Sequence, residues 1–278
     1  MSSYPSQTCT PSPSIRSYRF WDIPGSTYAQ AKVASDHRGH VKVRLTVARL
    51  PFEGDASAAE QSYERALGLA PNDAEILRHY ADFLMFAGRA GEALELIERA
   101  TRVDPNNVDL GALLTFAGER DAAGEVIRRA AEWDPTNPLP RLYLGYLEIW
   151  RGNTPAARDH LRLAEQLLGT QPLGRTQTVR LYLAYGYGRA GLTDDARRLV
   201  EEFGAEARAE FVPRIAWVYG YLGVGDLERA HEWASKVAEN GPAPMDGGQR
   251  MFIVNLLHDP VLERPEFLKL RRQLGYRE

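Results

Sequence analysis

The stretch AEILRHYADFLMFAGRAGEALELIERATRVDPNN, residues 74–107, contains two helix-forming segments that are separated by Gly88. In the second segment Ala93, Ile97 and Ala100 are four and three residues apart, so they lie on one face of a helix. Alanine at such positions lets two helices approach closely, and the larger isoleucine fills the remaining space. The stretch therefore predicts two packed helices joined by a short turn.

The same pattern recurs along the chain. A glycine separates two helical patterns at intervals of 30 to 39 residues, at Gly54, Gly88, Gly118, Gly152, Gly191 and Gly225. Prolines close three of the units, at Pro71, Pro105 and Pro135. The phrase RLYLGY at 141–146 returns as RLYLAY at 180–185 and as RIAWVY at 214–219. This period is typical of stacked repeats, because one helix pair alone cannot bury its apolar face.

Unit 74–107 resembles the tetratricopeptide repeat, a helix–turn–helix of about 34 residues that stacks into a right-handed solenoid. The residues at the family's signature positions are Leu77, Tyr80, Ala81, Leu84, Gly88, Ala93, Ile97, Ala100 and Pro105. The resemblance implies an all-α protein, a right-handed α-solenoid that ends in a pair of capping helices. We expect a repeat array over 40–242 and the capping helices over 243–278. The expected units are 40–73 (degenerate), 74–107, 108–137, 138–171, 177–210 and 211–242.

Three segments depart from this regular pattern. Unit 108–137 has 30 residues, which predicts a shortened first helix. Its place in the repeat predicts a helix for 41–50, but VKVRLTVAR alternates apolar and polar residues, so a strand is the alternative. Residues 1–39 form the third segment, and the first twenty of them are rich in Ser and Pro. We predict that 1–39 is flexible or poorly ordered.

Composition excludes several classes of function. The net charge of −3 over 278 residues provides no general attraction to nucleic acid or to an anionic membrane. Cys9 is the only cysteine, so neither an intrachain disulfide nor a multi-cysteine metal site can form. The sequence contains no membrane-spanning apolar run, secretory signal, phosphate-binding loop or catalytic motif. We therefore predict a cytoplasmic, non-enzymatic protein without metal or cofactor, and the oligomeric state stays open.

The first helices of three units carry a series of tyrosines, which we call the tyrosine ladder: Tyr143, Tyr146, Tyr182, Tyr185 and Tyr219. In the architecture that the sequence resembles, first helices line the concave surface, and tyrosine is enriched at recognition surfaces. The candidate partner-binding residues in this groove are Arg78, Asp82, Trp150 and the tyrosine ladder. The alternative is that the rings fill the space between units.

The leading functional prediction is a protein-interaction scaffold that binds a partner peptide or helix in its concave groove. The segment RIAWVYGYLGVGDLERAHEWASKVAENGP, residues 214–242, and the chain after it resemble the C-terminal repeat arrays of bacterial winged-helix regulators and adenylate-cyclase-like signalling proteins. That resemblance implies an alternative, a small-molecule-sensing or regulatory repeat portion that lacks its output domain. A third possibility is a remnant of a longer regulator with no independent role.

Overall fold

The computed structural model describes residues 27–35, 41–49, 56–86, 89–169, 178–206, 212, 214–240 and 260–268. Two strands come first in these ranges, β1 (Thr27–Ser35) and β2 (Val41–Arg49). Eleven α-helices follow within the described residues: α1 (Ala56–Leu69), α2 (Ala74–Phe86), α3 (Ala90–Val103), α4 (Val108–Phe116), α5 (Arg120–Trp133), α6 (Pro138–Trp150), α7 (Thr154–Gly169), α8 (Val179–Arg189), α9 (Thr193–Glu206), α10 (Arg214–Val224) and α11 (Leu227–Asn240).

The helices pack as successive pairs, which confirms the predicted α-solenoid. Helix α2 packs on α3, α4 on α5, α6 on α7, α8 on α9 and α10 on α11. First helices also contact the first helix of the next unit, as α8 does with α10. The predicted alanine faces form the centre of each pair, and Ala93, Ala123, Ala157, Ala196 and Ala230 are all completely buried. The boundaries of the individual units stay a prediction.

In four of the units the turn between the two helices is built around glycine. Gly118, Gly152, Gly191 and Gly225 have φ values of 75° to 86°, which is the left-handed region. The N–H of the residue after each of these glycines donates to a carbonyl five residues earlier, as Asn153 does to Glu148 at 2.9 Å. This is the hydrogen bond of a Schellman motif, in which glycine avoids the strain of a Cβ atom. These four of the six regular glycines are therefore helix ends, and Gly54 and Gly88 lie outside the described residues.

The turn between units is closed by side-chain caps. Asn107 and Asn137, which follow the unit-closing prolines, accept hydrogen bonds through Oδ1 from the N–H groups of Asp109 and Leu139, both at 3.0 Å. Asp73 accepts in the same way from Ile76. Each cap satisfies an N–H group that would otherwise lack a partner at the helix start. The phrases PND, PNN and PTN thus start the next first helix.

The helix predicted over 41–50 is wrong, because Val41–Arg49 is a strand paired antiparallel with Thr27–Ser35. The register places Val43 opposite Val33 and Leu45 opposite Ala31, as the alternation of the sequence favours. The partner strand falls inside 1–39, so these nine residues depart from the predicted flexible segment. The rest of 1–39 lies outside the described residues. Strand β1 contacts α1.

Helix α4 has nine residues, against 13 in α2, as the short unit suggests. At the other end of the chain, the predicted capping helices over 243–278 lie mostly outside the described residues. Within 260–268 there are two short 3₁₀ helices, Pro260–Glu263 and Pro265–Phe267. The ring of Phe267 is buried and lies 5.9 Å from the ring of His231 on α11.

Helices α8 and α10 cross in direct backbone contact. A Cβ atom added at Gly188 would lie 2.0 Å from the carbonyl oxygen of Gly223, and one at Gly223 would lie 2.3 Å from the carbonyl oxygen of Ala184. Only glycine permits this approach, because any side chain would overlap with the neighbouring helix. The close crossing brings the tyrosines of successive first helices together.

Candidate partner-binding surfaces

The tyrosine ladder lies in the core of the solenoid. All five rings are buried, and none is more than 4% exposed. The rings form edge-on contacts between units, with centroid distances of 5.9 Å for Tyr146–Tyr185 and 5.0 Å for Tyr185–Tyr219. The hydroxyl of Tyr146 donates to the backbone carbonyl of Tyr182 at 2.6 Å, and burial raises the pKa of Tyr146 well above its ordinary value. This arrangement is the packing between units that was the alternative to a groove.

Arg78 and Asp82 are also buried, with Arg78 only 8% exposed. The Nη2 atom of Arg78 lies 2.9 Å from Oε2 of Glu75 and 2.8 Å from Nε2 of His79. Its Nη1 atom lies 3.6 Å from Oδ2 of Asp109 on α4. The hydrogen bond from His79, helped by the charge of Arg78, lowers the pKa of Glu75 to about 2. The contact between Arg78 and Asp109 joins α2 to α4. Because carboxylates surround Arg78, its positive charge is not free to bind a partner.

Burial has the opposite effect on the third carboxylate of this cluster. It raises the pKa of Asp109 above its ordinary value, and the positive charge of Arg78 opposes that rise without cancelling it. The nearby charge of Asp82 adds to the rise. The charge of Arg78 favours the ionised form of both Glu75 and Asp109, but the net pKa shifts are opposite because the loss of water outweighs that attraction only at Asp109.

Trp150, at the end of α6, is partly buried in a contact with the preceding unit. The guanidinium carbon of Arg120 lies 4.9 Å from the centre of its ring, within the range of a cation–π interaction. The neighbouring Arg151 pairs with Asp121 at 2.9 Å. Both contacts join α5 to α6, so Trp150 acts in the junction between units.

The structure also shows exposed apolar residues that the sequence analysis missed. Leu69, Val103 and Trp133 are the last residues of α1, α3 and α5, and Trp133 is 76% exposed. Each stands two residues before a unit-closing proline, in the phrases LAP, VDP and WDP. That position was the available signal, because an apolar residue recurred there two residues before the proline, and Val103 and Trp133 each stand between charged neighbours. Trp133 is the largest of the three side chains.

A groove of about 650 Å³ lies between α3 and α5, and Leu114 of α4 contributes to its lining. Its apolar lining comes from Leu94, Ile97, Leu114 and Val126. Arg129, on α5, also lines the groove, and Trp133 follows it by four residues on the same helix face. The exposed tryptophan is not itself a lining residue, and it stands one helical turn beyond Arg129, just past one end of the groove. We call Trp133 together with this groove the α3–α5 surface.

Comparisons with known proteins agree with the repeat architecture. A family model described as tetratricopeptide repeat matches residues 53–115, from α1 to α4. No curated protein matches the sequence. The comparisons do not show the expected resemblance to winged-helix regulators or adenylate-cyclase-like proteins.

Solved structures with a similar fold include a tetratricopeptide repeat protein from Parabacteroides merdae, with 19% identity, 81% of this chain and 88% of that chain covered, and a TM-score of 0.49. PilW, described as a type IV pilus biogenesis factor, has 19% identity, coverage of 71% and 91%, and a TM-score of 0.47. MamA has 20% identity, coverage of 56% and 92%, and a TM-score of 0.42. Likenesses at this level carry no argument about what this chain binds.

The described residues lack both a membrane-spanning helix and a cluster of metal ligands. Across those ranges, none of the helices has the length and apolar character needed to cross a bilayer. The same ranges hold no group of three or more His, Cys, Asp or Glu side chains that could bind a metal ion. The cytoplasmic location and the absence of cofactor, nucleic-acid partner and membrane partner stay predictions.

Proposed function

We propose that the chain is a non-enzymatic scaffold that binds a segment of another protein at the α3–α5 surface. The observation that carries the proposal is the 76% exposure of Trp133 beside an open groove with an apolar floor. Tryptophan is the residue type most often found to dominate the energy of protein interfaces. A single exposed apolar residue is ordinary, but one at the end of a groove of this size is a typical anchor.

The size of the effect favours Trp133 over the charged residues around it. Aromatic side chains bury about 150–250 Å², so covering the exposed part of Trp133 would contribute on the order of 3–4 kcal/mol. An exposed ion pair contributes about 0–1 kcal/mol. Affinity for a partner would therefore depend mainly on Trp133, and the charged residues would select which partner binds.

The burial of the tyrosine ladder does not support our first hypothesis that these rings contact a partner in the concave groove. Tyr143 and Tyr219, for example, are 1% and 0% exposed, so a partner would have to open the contact between units to reach them. The α3–α5 surface requires no such opening. The alternatives of a small-molecule-sensing repeat portion and of a remnant stay predictions.

Affinity capture with the full chain as bait tests the proposal. Trp133→Ala should lose a partner protein that the unchanged chain retains from an extract of its own source. Leu69→Ala is the matched control, because Leu69 is 48% exposed at the equivalent position of α1, a helix that contributes no residue to the groove lining. The control should retain the partner, and all three proteins should melt at similar temperatures. Equal capture by Trp133→Ala, or equal loss by both variants, would reject the proposal.

A further inference from the structure

The charged residues of the α3–α5 groove follow the same order on both walls. Along α3, Glu98 comes before Arg102. Along α5, Glu119 and Glu125 come before Arg129. Successive units repeat in the same orientation, so α3 and α5 run parallel. Ala93 and Ile97 on α3 correspond to Ala123 and Ile127 on α5, so Glu98 lies close to the level of Arg129. Glu119 and Glu125 therefore make one end of the groove acidic, and Arg102 and Arg129 make the half toward Trp133 basic.

These five charges are available to a partner. Among the described residues, none of the five forms an ion pair or a side-chain hydrogen bond. Elsewhere in the same ranges arginines are paired, as Arg89 is with Glu92 and Arg198 is with Glu165 at 2.6 Å. Charges that line a groove without internal partners are the groups that a complementary ligand can pair.

The dimensions of the groove favour a helix as the occupant. The helical part of one wall, from Leu94 to Arg102, is about 12 Å long at 1.5 Å per residue, which is just over two helical turns. A helix of that length and about 10 Å in diameter fills roughly 900 Å³, more than the 650 Å³ of the groove. One face of a helix can therefore enter while the opposite face stays in water. This is the binding mode of an amphipathic helix in an apolar groove.

We infer that the occupant is an amphipathic partner helix with an acidic N-terminal turn and a basic C-terminal turn, running antiparallel to α3 and α5; this inference rests on the proposed function. Its acidic turn pairs with Arg102 and Arg129, and its basic turn pairs with Glu119 and Glu125. In the antiparallel arrangement the dipole of the partner helix runs opposite to the dipoles of α3 and α5, which is the favourable orientation. Acidic residues in its first turn and basic residues in its last turn also stabilise the partner helix by itself.

Three synthetic peptides with one apolar stripe test the charge order. The first has an acidic first turn and a basic last turn, the second is basic at both ends, and the third is acidic at both ends. Fluorescence anisotropy with the full chain should show the first peptide binding roughly tenfold tighter than either of the others. High salt should reduce that preference, because exposed charge pairs are screened. Equal affinities for the three peptides would overturn the inference.

A charge-reversal variant separates pairing from general adhesion. Arg102→Glu combined with Arg129→Glu makes both ends of the groove acidic, so this protein should prefer the peptide that is basic at both ends. An unchanged order of preference would overturn the inference, whereas the loss of partner capture by Trp133→Ala would still support the proposed function. Conversely, a switch in peptide preference without any effect of Trp133→Ala on capture would reject the proposed function alone.

A photo-reactive group on the first peptide tests its direction. Placed at the N-terminal turn, the group should crosslink to the stretch around Arg102 and Trp133. Placed at the C-terminal turn, it should crosslink near Glu119, at the start of α5. The reverse pattern would overturn the antiparallel arrangement.

Discussion

Replacing Gly188 with alanine tests the close crossing of α8 and α10. The new Cβ atom would stand 2.0 Å from the carbonyl oxygen of Gly223 and 2.6 Å from its Cα atom. Ordinary contacts are 3.4 Å or longer, so the two helices must separate by more than an ångström. Both sides of the clash are helix backbone, which cannot rotate away as a long side chain can. The strain must therefore spread into the packing of the tyrosine ladder.

The expected cost follows from two opposing effects. Overpacking of a well-filled core costs about 1–3 kcal/mol, while alanine in place of a helical glycine gains about 0.5–1 kcal/mol. The two ranges leave a net loss of between about 0 and 2.5 kcal/mol in the free energy of unfolding, and we expect the upper half of that range because the new atom meets backbone. In a chain of this size that corresponds to a fall in melting temperature of about 2–4 °C per kcal/mol.

Gly91→Ala is the matched control, because a Cβ atom at this helical position would have nothing within 4 Å. The control should gain about 0.5–1 kcal/mol, so the same substitution has opposite signs at the two sites. Thermal unfolding followed by circular dichroism measures both. If Gly188→Ala melts at or above the temperature of the unchanged chain, the direct contact between α8 and α10 is wrong.

Three further predictions concern the core, the acid stability and a helix cap. Tyr146→Phe removes the hydroxyl donor to the carbonyl of Tyr182, which keeps its helical hydrogen bond inside α8, and should cost about 0.5–1.5 kcal/mol in urea unfolding. Tyr146→Ala should cost about 3–5 kcal/mol, and a near-zero cost for this variant would mean that the ring is not core. The pKa of Glu75 is about 2 in the folded chain, below its ordinary 4.5, so its stabilising contribution is complete above pH 4.5 and is lost as the pH falls toward 2. Glu75→Gln should flatten the dependence of melting temperature on pH in that window, and an unchanged slope would contradict the cluster. Asn137→Ala removes the acceptor for the N–H of Leu139 and should lower the free energy of unfolding by about 0.5–2 kcal/mol, whereas no change would show that the cap is not formed.

The sequence predicts the repeat register because glycine and alanine have narrow physical roles. The left-handed turn at Gly152 and the close helix packing at Ala157 each exclude most other residues, so their spacing identifies the units. The hairpin was harder to predict. The segment 41–49 alternates apolar and polar residues as a strand does. Its pairing partner, 27–35, lies in the segment that we predicted to be flexible, so the sequence indicated no second strand for it to pair with.

The candidate site was less predictable than the fold. Tyrosines on a first helix have the same spacing whether they line a groove or fill the space between units. The crossing of α8 and α10 decides between these outcomes, and it depends on the glycine pair Gly188 and Gly223, 35 residues apart. Trp133 was missed because its position before a proline was interpreted only as a turn signal. The groove was missed because its two walls, α3 and α5, belong to different repeat units, so the sequence of one unit does not indicate it.

Photo-crosslinking from position 133 tests the central claim, partner binding at the α3–α5 surface, most directly. A benzophenone amino acid at this position keeps an aromatic ring beside the groove, and the same group at position 69 provides the comparison. Exposed to an extract of its own source and irradiated, the variant with the probe at 133 should form a covalent adduct with a protein, and the variant with the probe at 69 should not. An adduct of equal yield from position 69, or no adduct from position 133, would contradict the account.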